Sequence, residues 1–178
     1  MIKIGKISSY LHDNYLAGLL NYKPNKTAAC TAIFFLFGLF AITVGLHSKI
    51  LELNFNKKLV RPTLFIILFI FPSFLEESFF RGIIIPLKKT QDNNVLSAIY
   101  TIISSSAFTL WHPLNAWAGN KGAAEYFYDS SFLLITFVLG IVCSITYIIS
   151  RSLWIPVAIH WIVVVAWVVF FGGRNLLL

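Results

Sequence analysis

The chain has 178 residues, of which 58% are hydrophobic and only 12% charged, where a soluble domain carries about 25% charged residues. With a mean hydropathy of +0.79, a fully water-facing surface is excluded. The net charge of +7 implies no nucleic-acid partner, because the basic residues sit mainly between apolar runs and near the N-terminus, where they face anionic lipid head groups.

Along the chain, residues 1–27 carry Lys3, Lys6, Lys23 and Lys26. Leu11, Tyr15, Leu19 and Tyr22 recur there at spacings of three or four, which suits a short interfacial helix or a loosely ordered tail. Residues 28–178 then form the membrane domain. Stretches 28–46, 93–111, 130–150 and 152–173 contain no Lys, Arg, Asp or Glu, and a bilayer span needs about 20 mainly apolar residues. Five spans are predicted, at 28–47, 62–87, 95–112, 131–149 and 153–171. The fold class is therefore an all-α, polytopic transmembrane helix bundle of about five spans, and the protein is a multi-pass integral membrane protein. Pro72 is expected to kink the second span and Pro113 to end the third. The linker at 48–61 is basic, with Lys49, Lys57, Lys58 and Arg61. The linker at 113–130 carries Trp117, Tyr126 and Tyr128, residues typical of an interfacial belt. Cys30 and Cys143 lie inside apolar runs and fit no disulfide or zinc spacing. They are expected to be packing residues.

Charges at bilayer depth cost about 2.5 to 3.5 kcal/mol on insertion scales and mark functional sites by default. Only Glu76, Glu77 and Arg81 fall inside the spans, joined by His112 at the end of the third and His160 in the fifth. Glu77 and Arg81 are four apart and share a helix face, as either a structural ion pair or part of a site. Glu76 points about 100° away from Glu77 and is poorly placed to pair with Arg81. His12 and His47 lie at or beyond the span edges and are expected at the surface. At about 1.5 Å per residue, Glu76 lies about 17 Å deep, His160 about 12 Å and His112 about 20 to 26 Å. With helix tilt, the three meet in one pocket.

A carboxylate and an imidazole within reach of one water remove its proton and make it a nucleophile. A second imidazole donates to the oxyanion of a tetrahedral intermediate. These parts suffice to hydrolyse an amide bond inside the membrane. Competing chemistries have less support. No span contains Asp, and HExxH is absent. Ser104, Ser105 and Ser106 have no GxSxG around them and suit close helix packing. Two histidines and a glutamate are also a zinc donor set, but their spacing matches no standard metal motif. No cofactor and no metal are expected.

At these residues the chain resembles the CAAX-protease and bacteriocin-processing (CPBP) family of glutamic-type intramembrane proteases. Glu76-Glu77-Ser78-Phe79-Phe80-Arg81 matches its EExxxR motif, Phe108-Thr109-Leu110-Trp111-His112 its FxxxH motif, and His160 the histidine of its third motif. The resemblance implies that Glu76 and His112 activate water and that His160 stabilises the oxyanion. Glu77, Arg81 and Phe108 support the site. The expected partners are membrane lipids and a membrane-associated or hydrophobic peptide or protein substrate. One position departs from the pattern: Val164 stands where the family commonly has Asn or Asp. Losing an oxyanion donor costs about 100- to 1,000-fold in rate. The departure motivates an alternative, a non-catalytic membrane scaffold or immunity-type protein that keeps the protease fold.

Overall fold

The structure, a computed structural model, describes residues 9–55, 60–90, 92–119 and 121–173. Lys3, Lys6, Lys57 and Lys58, which the sequence places at the membrane surface, lie outside the described residues, as does the side chain of Leu11. The described residues form an all-helical bundle, with no strand beyond a single bridge between Asn54 and Phe171.

The elements are α1 (9–19), α2 (Thr27–His47), α3 (Pro62–Ile83), α4 (Leu87–Thr90), α5 (Asn94–Ala118), α6 (Ala124–Phe127), α7 (Ser130–Ser150) and α8 (Trp154–Phe170). Four of them, α2, α3, α5 and α7, are long and apolar enough to cross a membrane. The fifth predicted span, α8, is apolar but shorter, at 17 residues, about 26 Å of helix.

Helix α7 is the centre of the bundle and packs against α2, α5 and α8. Its start is set by Asp129, whose carboxylate accepts from Ser131 N–H at 2.8 Å and Phe132 N–H at 2.9 Å, satisfying two donors that the first turn leaves without helical partners. Gly140 permits a close approach of α7 to α5: a Cβ there would stand 3.0 Å from Ser105 Cα. Ser104 Oγ donates to Phe80 O at 2.8 Å. The serine run of α5 is thus a packing surface. Cys30 and Cys143 are buried free thiols.

Helix α3 is broken where Pro72 predicts. Phe71 is extended, at φ −121° and ψ 118°, because a proline ring clashes with a helical preceding residue. The Phe71–Pro72 peptide bond is cis. Beyond the break, Ser78–Ile83 is wound in wide π-type turns, a geometry frequent at functional sites.

Helix α5 corrects one expectation. Pro113 does not end it; the helix runs on to Ala118. The proline costs one backbone hydrogen bond, but the turns beyond it bury Ala116 against Ala123 and Phe127. That apolar contact rewards continuing the helix. Likewise the N-terminal segment is docked rather than loose. Tyr10 Oη donates to Ile83 O at 2.7 Å, and Trp154 Nε1 to Leu19 O at 2.8 Å. Gly18 is buried against Tyr147, with no room for a Cβ.

Candidate active site

Glu76, Glu77 and Arg81 lie on α3 beyond the proline break, Phe108 and His112 on α5, and His160 on α8. Two linked arrangements result. The first is a buried charge cluster. Glu77 and Arg81 have no exposed side-chain surface, and Arg81 Nη1 donates to Glu77 Oε1 at 3.1 Å. Arg81 Nη2 donates to Gly140 O on α7 at 3.0 Å. His160 Nδ1 donates to the same Glu77 oxygen at 2.9 Å. A carboxylate oxygen only accepts, so Nδ1 carries the proton in this contact. Glu77 Oε2 and Arg81 Nε have no partner among the described residues. The Arg81 guanidinium also lies over the Phe108 ring, 4.5 Å from its centroid, a cation–π contact that strengthens when desolvated.

The second arrangement is a cavity of about 590 Å³ whose walls include Glu76, Phe108, His112 and His160. The structure thus brings the three predicted catalytic side chains to one space, with Phe108 between the histidines. The Phe108 ring centroid is 5.1 Å from His112 and 5.4 Å from His160, both edge-on. Phe127 and Phe132 pack on His112 as well, at 5.0 and 5.5 Å. His112 Nδ1 donates to Phe108 O at 3.0 Å. In the neutral ring this leaves the lone pair on Nε2. Glu76 Oε1 accepts from Trp111 Nε1 at 3.1 Å, while its Oε2 is buried with no partner among the described residues. As the sequence geometry predicts, Glu76 makes no ion pair with Arg81.

Val164 also lines this cavity and packs beside Leu64, Leu68 and Val168. Its isopropyl group brings no hydrogen-bond donor. His12 and His47 are exposed. Among the described residues, no group of three His, Cys, Asp or Glu is arranged to hold a metal ion.

Three contributors escape the sequence argument. Trp111 is the partner of Glu76; its place next to His112, and the need of a partly enclosed indole N–H for an acceptor, were the available signal. The Gly140 carbonyl has no signature beyond a glycine in an apolar helix. Asn115, three residues beyond His112 and on the cavity wall, is visible only once α5 is known to pass Pro113.

A family model described as "Type II CAAX prenyl endopeptidase Rce1-like" matches residues 58–166, more than half the chain. The match covers Glu76, Glu77, Arg81, Phe108, His112 and His160. No curated protein and no solved structure matches the chain.

Proposed function

The chain belongs to the Rce1-like family of type II CAAX prenyl endopeptidases, and from that premise we propose that it is an intramembrane endopeptidase that cleaves with a Glu76/His112-activated water. The observation that carries this reading is the state of Glu76. One carboxylate oxygen is held by Trp111 and the other is buried with no partner among the described residues, in a cavity shared with His112 and His160. A buried polar atom without a partner is rare in folded proteins and asks for a reason. A reactant that binds there is such a reason.

In this mechanism Glu76 takes one proton of a water whose other hydrogen His112 Nε2 accepts as a hydrogen bond, and the water oxygen bonds to the scissile carbonyl carbon; the C–N bond then breaks. His160 keeps its Nδ1–H on Glu77 and donates from a protonated Nε2 to the oxyanion. Proton return to the leaving amine then completes hydrolysis. Glu77 and Arg81 fix the rings: the first orients His160, and the second ties α3 to α7 while supporting Phe108. No metal takes part. The family description and the apolar cavity walls favour a lipid-modified, membrane-associated peptide as substrate. The test is cleavage by the full chain, reconstituted in vesicles, of a peptide with a prenylated C-terminal cysteine and of the same peptide unmodified, each with and without a chelator. The reading expects chelator-insensitive cleavage, faster for the prenylated peptide. Absence of cleavage, or its loss on chelation, contradicts it.

A second reading is favoured by Val164. A cavity wall without a donor at that position suits a scaffold or immunity-type protein that keeps the fold without turnover. It expects Glu76→Ala to leave the cellular phenotype intact.

A further inference from the structure

A second cavity, of about 880 Å³, opens between α5 and α7 where α2 begins and α7 ends. Ser97 on its wall lies 15 residues before His112 on α5, about 22 Å along the helix, so it stands apart from the candidate active site. Its lining changes along the helices. Lys26, Ser97 and Arg151 line it at one end of the helices, and Ile102 and Ile145 also line it, five residues on from Ser97 along α5 and six residues from Arg151 along α7, roughly 8 to 9 Å further along the helix axes. Ile102 and Ile145 are exposed, as a surface in contact with acyl chains would be.

The two cations are held in place by the backbone. Asn25 N–H donates to Ser150 O at 2.9 Å, which sets Lys26 and Arg151, each the next residue, beside one another. Asn21 Nδ2 donates to Arg151 O at 2.9 Å. Lys26 and Arg151 both adopt left-handed backbone, at φ 51° and 59°, a conformation disfavoured for residues with a Cβ. Neither makes an ion pair among the described residues. Two cations on held backbone, without an ion pair among the described residues, beside a cleft that also carries Ile102, Ile145, Ile148 and Ile149 match an anion carrying a hydrocarbon chain.

We propose that this cleft binds an anionic phospholipid, its phosphate between Lys26 and Arg151 and one acyl chain along Ile102 and Ile145. A free anion would use only the two cations, and a neutral lipid would leave them unmatched.

The test is native mass spectrometry and thermal unfolding of the delipidated full chain in detergent, with phosphatidylglycerol, phosphatidylcholine or inorganic phosphate added. The wild type should retain and be stabilised by phosphatidylglycerol in preference to phosphatidylcholine, and inorganic phosphate should give no stabilisation. Lys26→Gln/Arg151→Gln should weaken phosphatidylglycerol binding by roughly 30-fold, the worth of two cations at an anionic lipid surface. Lys26→Arg/Arg151→Lys should keep it, which separates charge from folding. Lys23→Gln/Lys89→Gln, which removes two charges elsewhere in the sequence, should also keep it. Equal binding of the two lipids, protection by inorganic phosphate alone, or equal losses in the two glutamine pairs would overturn the proposal.

Discussion

His160 and Arg81 donate to the same oxygen of Glu77, at 2.9 and 3.1 Å. That one buried atom joins the part of α3 beyond its proline break to α8, and through the second arm of Arg81 to Gly140 on α7. The side chain that orients a candidate catalytic histidine is thus also the counter-charge of Arg81, a cation with no exposed side-chain surface.

Removing that cation should destabilise the fold. Arg81→Met leaves the Glu77 carboxyl group buried without its counter-charge, and breaking a buried pair by deleting one partner costs about 3 to 5 kcal/mol. Arg81→Lys should recover only part of it, since a point charge does not span Glu77 and the Gly140 carbonyl as the guanidinium fork does. Thermal unfolding in detergent reads both. Melting of Arg81→Met at the temperature of a surface Lys89→Met control would show that the pair carries little stability.

Gly140→Ala should also destabilise, by about 1 to 3 kcal/mol, the usual range for overpacking. Its new methyl would stand 3.0 Å from Ser105 Cα, a backbone atom without rotamers to yield. Any shift of α7 also moves the carbonyl that Arg81 uses. A wild-type melting curve would mean that the helices separate at no cost.

Trp111→Phe tests the hold on Glu76. The ring is kept and the N–H donor to Glu76 Oε1 is lost. A hydrogen bond to a charged group is worth about 1.5 kcal/mol or more, so kcat should fall about tenfold. KM should change little, because the bond positions the base and does not touch substrate. A change confined to KM would assign Trp111 to substrate binding instead.

Much of this was legible in the sequence because the bilayer imposes a simple demand. The charge-free runs became α2, α5 and α7 within a residue or two at their starts, and the three charges left inside a span lie at the candidate site. The 3.6-residue repeat placed Glu77 on the face of Arg81 and turned Glu76 elsewhere, as found. Pro72 and Pro113 show where local rules stop. Both remove a backbone donor, yet only Pro72 breaks its helix, because the turns after Pro113 have Phe127 and Ala123 to pack against. That is a tertiary fact with no local signature. The contacts of Trp111 and Gly140 were hidden for the same reason: each depends on which face of one helix meets another.

Glu76 is proposed as the base of an intramembrane peptidase. The most direct test compares wild type with Glu76→Gln, both reconstituted at matched folding and density, on one membrane-presented peptide whose products are identified by mass. The amide keeps the size of the side chain and an acceptor for Trp111 but cannot take a proton from water. Cleavage by the wild type is expected, with a rate at least about 100-fold lower in the variant, the lower range for loss of a general base. Equal cleavage by the two proteins would contradict it.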